Sequence, residues 1–385
     1  MMRPRLSIVS LALLPAPLLA LAACGGEASD GTGGEPALAA VSHAALDAVS
    51  KDPGTPREEL ARRMETVFAN PEMGETRALL VLHDGTIVAE RYGAGYDENT
   101  RFVSWSMAKT VTAVMIGMLV AEGKLRLDET PPIPNWQRPG DPRGEITLRQ
   151  LLQMRSGLRH TETSDPPYEA DTVKMLFLEG RDDMAAWAEA QPLEAEPGRQ
   201  FEYSTPTTVI LADIAARVLT PSNNPETRRK AVDEFLKARL FVPLGMTSMV
   251  PEYDAAGTLL GGSLIHGTAR DWAKFGEFLR HGGSAEGVQL VPRGWVEFMT
   301  RPSPRTQDYG GQVWLNRPSG TEDRDVLFAG QGPASLFGLV GHLGQYVLVS
   351  PKQRLTVVRL GKSDEAQRDP VVKALGRIVE LYPER

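Results

Sequence analysis

Two short apolar runs, Ala78–Leu82 and Thr86–Tyr92, flank His83-Asp84-Gly85. Runs of this length around an Asp-Gly pair predict a β-hairpin, because the pair tolerates the positive φ of a tight turn. Val111–Val120 is apolar on every face. It is too short to cross a bilayer and predicts a buried helix. Pro131–Pro142 is a proline-rich loop. Helical spacing of apolar positions continues through Ile146–Met154, Val173–Leu178, Asp183–Ala190, Thr207–Leu219, Arg228–Leu240, Asp271–His281 and Val371–Leu381. Strand-like runs return at Gln312–Leu315, Val326–Ala329, Gly344–Ser350 and Leu355–Leu360. Strands near both ends with helices between them predict an α+β fold. The two ends would build one sheet, and a mostly helical lobe would occupy about residues 125–265. Ahead of the hairpin, Ala37–Val49 predicts a helix and Asp52-Pro53-Gly54 a turn. Thr55, Pro56 and Glu58 read as a capping box opening a second helix with Leu60, Met64 and Val67 on one face. Residues 37–75 are thus an expected helical extension to a domain spanning 76–385.

The chain has 385 residues, 42% apolar and 24% charged, which excludes wholesale disorder. A net charge of −7 without a long basic run gives no electrostatic footprint for nucleic acid. With one cysteine no intrachain disulfide can form. Arg3 and Arg5 precede the apolar stretch Leu6–Leu21, which Pro15 and Pro17 interrupt, and small residues lead to Cys24. This is the pattern of a targeting segment, not of a membrane span. With Cys24 directly after Leu21-Ala22-Ala23 it resembles a bacterial lipoprotein signal. The resemblance implies removal of residues 1–23, a lipid on Cys24 and attachment to the bacterial cell envelope, periplasmic or at the outer membrane. The alternative is a plain secretory signal with an incidental cysteine. Residues 24–36, rich in Gly, Ser and acid, read as a flexible tether.

Chemistry concentrates at Ser106-Met107-Ala108-Lys109, the one Ser-x-x-Lys in the chain, which opens its most apolar helix. Side chains three apart share a helix face. A serine hydroxyl needs a base, and a desolvated lysine can release its proton. Ser106 at the helix start would also meet backbone N–H groups that favour a developing anion. The same four residues could equally be a capping serine and a snorkelling lysine. The six histidines lack metal-ligand spacing, and no H-E-x-x-H is present. No G-x-S-x-G, P-loop or dinucleotide fingerprint occurs, so neither metal nor cofactor is expected.

Further stretches widen the pattern: Ile146–Leu158 (ITLRQLLQMRSGL), Pro197–Ser204 (PGRQFEYS), Pro243-Leu244-Gly245-Met246, Thr268–Gly276 (TARDWAKFG), Tyr309–Asn316 (YGGQVWLN) and Gly344–Pro351 (GQYVLVSP). In this order and spacing the chain from about residue 76 to 385 resembles the serine β-lactamase and penicillin-binding superfamily. It is most similar to the branch of class C β-lactamases, β-lactamase-fold esterases and 6-aminohexanoate-dimer hydrolases. The resemblance implies a β-lactamase/transpeptidase-like fold: a central antiparallel sheet flanked by helices, with a helical second lobe. It implies Ser106 as the acylated nucleophile, Lys109 as its proton partner and Tyr203 as a second acid and base, provided Lys109 lowers the phenol pKa. The oxyanion hole would be the N–H groups of Ser106 and of a residue on the last site strand.

The chain departs from the pattern twice. Tyr203-Ser204-Thr205 stands where relatives often have Tyr-x-Asn, and the shorter Thr205 weakens β-lactam recognition. The third motif has two registers. One is His342-Leu343-Gly344 with Gln345 as the oxyanion donor. The other, which needs no gap, is Leu339-Val340-Gly341 with His342 as the donor. In the second no cation stands first in the triplet, so a β-lactam carboxylate would lose its usual partner. The expectation is a serine hydrolase of small-molecule esters or amides. The alternatives are a β-lactamase or D,D-peptidase, and a penicillin- or peptidoglycan-binding sensor without turnover. Trp105, Thr205, Trp314, Gly341 and His342 are the expected pocket residues, with Tyr168 a further aromatic to place. The sequence leaves the oligomeric state open.

Overall fold

The computed structural model describes residues 41–320 and 326–385. The targeting segment, Cys24 and the tether lie outside the described residues.

The N-terminal extension forms α1 (His43–Asp47) and α2 (Arg57–Ala69). α1 starts later than expected because the Ser42 hydroxyl accepts the Ala45 N–H and caps it there. Thr55 makes no capping box. Its hydroxyl donates to the Leu381 carbonyl at 3.1 Å, and α2 begins after Pro56 without a side-chain cap. The hairpin follows as β1 (Glu75–His83) and β2 (Thr86–Tyr92), joined by Asp84 and Gly85, both at positive φ. β3 (Arg101–Val103) leads through the 3-10 turn Trp105–Met107 into α3 (Ala108–Ala121), buried through Leu119.

The helical lobe contains α4 (Leu148–Leu152), α5 (Asp171–Phe177), α6 (Met184–Glu189), α7 (Thr205–Leu219) and α8 (Pro225–Leu236). The helix expected to reach Leu240 instead passes into a π-helical turn over Lys237–Phe241. Then come β4 (Val250–Pro251), β5 (Ile265–Thr268), α9 (Ala269–Arg280), β6 (Ser284–Ala285), β7 (Val288–Gln289), α10 (Arg293–Met299), β8 (Trp314–Leu315), β9 (Phe337–Gly341), β10 (Gln345–Ser350), β11 (Leu355–Lys362) and α11 (Arg368–Val379). Val326–Ala329 is bend and turn, not strand. Its apolar Leu327 and Phe328 pack into the core beside Gly338 and Gly376 instead of entering a ladder.

The main sheet runs β2-β1-β11-β10-β9-β8 and is antiparallel throughout, so the two ends of the chain meet at β1 and β11. β1 is buried on both faces, and its alternation shows which layer each face meets. Ala78, Leu80 and Leu82 join the core that holds α3, α7 and α9. Leu79 and Val81 join the core of α2 and α11. A second sheet, β3-β5-β4, sits beside the first. Arg359 on β11 is fully buried and donates to the Gly344 carbonyl at 2.7 Å and to Ser363 Oγ at 2.8 Å. It thereby fixes the β9–β10 turn to the end of β11.

Candidate active site

The chain before Ser106 is clamped. Ser104 N–H donates to the Ile265 carbonyl at 3.0 Å, and the Ile265 N–H donates back to Ser104 Oγ at 3.1 Å. Trp105 then takes φ +46°, a left-handed conformation costly for a bulky residue, and turns the chain into α3. Ser106 stands on the 3-10 turn ahead of α3 and not in its first α-helical turn. β9 closes on this turn: a Cβ on Gly341 would stand 2.3 Å from the Ser104 carbonyl oxygen, so only glycine fits.

Lys109, 1% exposed, places Nζ 3.0 Å from Ser106 Oγ, 2.7 Å from Thr205 Oγ1 and 2.9 Å from the Gly262 carbonyl. Thr205 opens α7, and its hydroxyl donates to Glu162 Oε1 at 2.6 Å. Glu162 also accepts the Thr205 N–H at 2.7 Å and the Thr172 hydroxyl at 2.7 Å. Among the described residues no carboxylate pairs with the ammonium. Burial therefore pulls the Lys109 pKa down to about 8, and the more distant Glu162 charge pushes back only in part.

Tyr203 precedes Ser204, the N-cap of α7. Its side chain lines the same cavity as Ser106. Its ring lies 5.2 Å from the Trp314 ring and edge-on to Tyr309 at 5.7 Å. Burial, and then the Glu162 charge, hold the phenol well above the usual tyrosine range, and the nearby Ser106 hydroxyl offsets part of this. The expected lowering by Lys109 does not occur. Lys109 Nζ lies 4.9 Å from the ring centroid, and Lys109 is itself the group whose pKa falls. His160 supports this corner. Nε2 meets the Ala188 carbonyl at 3.1 Å, which can only accept, so Nδ1 is left to accept the Ser204 hydroxyl at 3.1 Å. Burial takes the His160 pKa down to about 4, and the ring stays neutral.

Ser106 opens into a cavity of about 360 Å³ lined by Tyr203, Trp314, Gly341, His342, Glu162 and Arg368, among others. Trp314, Gly341 and His342 thus share the cavity of Ser106. Thr205 is not a pocket wall: it is 1% exposed and spent on the Lys109–Glu162 link. Trp105 lines a neighbouring cavity and meets the His342 ring edge-on at 5.2 Å. Tyr168 is 62% exposed on the turn Pro167–Glu169, away from the cavity. Burial lowers the His342 pKa, against a smaller upward push from Glu162.

The β9–β10 turn fits the second register of the third motif. Gly341 pairs with Gln345, leaving His342-Leu343-Gly344 as the turn. Gln345 is buried, with its amide donating to the Gly361 carbonyl at 2.7 Å. Leu339, at the head of the triplet, points into the core and Val340 reaches the cavity. A missing cation at position 339 therefore says nothing about a substrate carboxylate. Sequence reasoning missed Arg368, at the start of α11, which supplies a cation to the wall. It also missed Glu162. Among the described residues neither the Ser106 nor the His342 backbone N–H has a backbone acceptor.

The Beta-lactamase family model matches residues 73–379. The 6-aminohexanoate-dimer hydrolase of Paenarthrobacter ureafaciens is 27% identical over 332 residues, 80% of each chain. A Bacillus anthracis structure provisionally assigned as a 6-aminohexanoate-dimer hydrolase superposes with a TM-score of 0.64 at 22% identity, covering 83% of both chains. A family VIII carboxylesterase structure gives 0.60 at 17% identity, covering 84% of this chain and 97% of its own. The chain belongs to the Beta-lactamase family and is a hydrolase of the β-lactamase fold.

Proposed function

We propose that the protein is a serine hydrolase of small esters or amides, working through an acyl-enzyme on Ser106. One observation carries the reading: Ser106 Oγ lies 3.0 Å from the buried Lys109 Nζ, in a cavity that Tyr203 also lines. The hydrogen-bond directions give each group its part. The Thr205 oxygen donates its own proton to Glu162 and the Gly262 oxygen has none, so both accept from Lys109. A neutral Lys109 uses its two N–H groups there, and its lone pair faces the Ser106 hydroxyl.

Lys109 takes the Ser106 proton as Oγ attacks the carbonyl carbon. The oxyanion is received by the N–H groups of Ser106 and His342. Tyr203, kept protonated by its raised pKa, donates to the leaving oxygen or nitrogen and is reprotonated at the expense of the Lys109 ammonium. The alcohol or amine leaves, and Ser106 carries the acyl group as an ester. Water then attacks with the same groups in reverse, releasing the carboxylic acid and restoring Ser106.

The dimer hydrolase and the carboxylesterase among the relatives support amides and esters as the substrate classes. Arg368 on the wall favours a second reading, a β-lactamase or D,D-peptidase, because it offers a cation to a substrate carboxylate. A sensor without turnover would not need a depressed lysine, a nucleophile and an acid together. Hydrolysis of p-nitrophenyl butyrate by wild type and Ser106→Ala tests the first reading: turnover is expected only in wild type. Equal rates would overturn it. Acylation by penicillin without ester turnover would favour the second. We also propose that Cys24 carries the lipid that holds the enzyme in the cell envelope. Labelled palmitate should enter wild type and not Cys24→Ala, and labelling of both would overturn this.

A further inference from the structure

Away from the Ser106 cavity two guanidinium groups converge on one backbone oxygen. Arg155 donates through Nη1 to the Gly198 carbonyl at 3.1 Å, and Arg305 donates through Nε to the same oxygen at 3.1 Å. Arg155 is buried. Its Nη2 donates to the Gln153 side-chain oxygen at 2.7 Å, and its Nε has no partner. Arg305 is exposed, and its Nη1 and Nη2 make no hydrogen bond among the described residues. Nor does either guanidinium form an ion pair with a carboxylate among those residues. Acids on the same loops are engaged elsewhere: Glu196 accepts from Arg199 at 2.9 Å, and Asp308 from the Thr306 hydroxyl. Burial, and then the charges of Arg305 and Arg149, hold the Arg155 pKa below the usual arginine value. Arg149 is neutralised by Asp128 at 2.8 Å, whereas Arg155 and Arg305 have neutral acceptors.

Backbone pairing fixes this place. Gly198, at φ +85°, donates its N–H to the Arg155 carbonyl at 2.8 Å, and the Glu202 N–H donates to the Met154 carbonyl at 2.9 Å. A guanidinium is a planar fork that matches two oxygens of one anion better than it matches a single carbonyl. Two such charges on one neutral oxygen repel each other, and partial burial weakens the screening of that repulsion. An anion with several acceptor oxygens would relieve the repulsion and occupy the free N–H groups of Arg305 at once. We propose that Arg155 and Arg305 form a binding site for a phosphate-class oxyanion, which approaches from the exposed Arg305 side. Neither arginine lines the Ser106 cavity, so the site is separate from the proposed reaction and does not depend on it.

Titration calorimetry of the purified full chain with sodium phosphate, against sodium chloride at matched ionic strength, tests the proposal. We expect saturable phosphate binding with a Kd on the order of 1 mM, the strength of a bidentate contact in an open site. The Tm should rise with phosphate and not with chloride. Arg305→Gln should weaken binding by about tenfold or more and leave p-nitrophenyl butyrate hydrolysis within about twofold. Arg305→Lys, a point charge without the fork, should weaken it less. Arg155→Gln should also weaken it; the exposed Arg305 variants decide the matter if that variant does not fold. Arg199→Gln, which removes the neighbouring arginine already paired with Glu196, should leave the Kd unchanged. The proposal is overturned if phosphate does not bind, if chloride acts as well as phosphate, or if Arg305→Gln binds phosphate as tightly as wild type. Phosphatidylglycerol vesicles identify the source of the anion. Displacement of bound phosphate by the vesicles would assign the site to a lipid headgroup, and no displacement would assign it to the free anion.

Discussion

Glu162 reaches Lys109 through one hydroxyl: Thr205 Oγ1–H donates to Glu162 Oε1 at 2.6 Å, and Thr205 Oγ1 in turn accepts from Lys109 Nζ at 2.7 Å. The acid holds the bridge in one orientation and acts on the lysine by charge without ion-pairing to it. Direct contact would stabilise the ammonium and remove the base.

The first consequence is a pH profile. With a Lys109 pKa of about 8, kcat/KM should rise with pH through about 8 as the amine loses its proton. Glu162 pushes that pKa up, so Glu162→Gln should move the rising limb to lower pH. A limb that stays in place, or moves up, would contradict this.

Thr205→Val removes the hydroxyl and strands two partners, the buried Lys109 and the cavity-lining Glu162. We expect kcat/KM to fall by roughly 10²-fold, as for loss of one positioning contact. Thr205→Ser, which keeps the bridge, should retain most activity. Equal losses in both would show that the methyl group matters and the hydroxyl does not.

Gly341→Ala presses a methyl onto the Ser104 carbonyl, at 2.3 Å before relaxation. β9 must retreat from the nucleophile turn, and kcat should drop by roughly 10²-fold with a smaller change in KM. Unchanged kcat would mean that β9 does not set the oxyanion geometry.

His160 is neutral in the folded protein down to about pH 4, whereas an unfolded histidine becomes protonated below its ordinary pKa of 6.5. The unfolded state thus binds the extra proton first, and stability is lost as pH falls from about 6.5 toward 4. The loss is on the order of 3 kcal/mol over that window. Urea titrations of wild type and His160→Asn at pH 7 and pH 5 (about two units apart) should show a smaller acid loss in the variant.

These relationships were legible in the sequence to unequal degrees. The Asp84-Gly85 hairpin and the apolar α3 are local and could be read directly. Ser106 and Lys109 are three apart, and one turn of helix brings them together. β3 and β5 were missed because strands of three and four residues show no alternation. Glu162 stands in a loop with no spacing that ties it to Ser106, and only its hydrogen bonds to the start of α7 reveal it. Arg368 reads as one more charge at a helix start until β9 and α11 are placed around one cavity. The sign of the Tyr203 shift depends on burial and on which atom faces the lysine, and neither is written in a motif.

The central claim is that Ser106, with Lys109 as its base, is the residue that becomes acylated. The most direct measurement is peptide mass spectrometry of enzyme quenched during turnover of p-nitrophenyl butyrate at pH 9 (about one unit above the Lys109 value). We predict a butyryl group on the peptide holding Ser106 in wild type, and none in Ser106→Ala or Lys109→Ala. A butyryl group on another residue, or turnover in Ser106→Ala at the wild-type rate, would contradict the account.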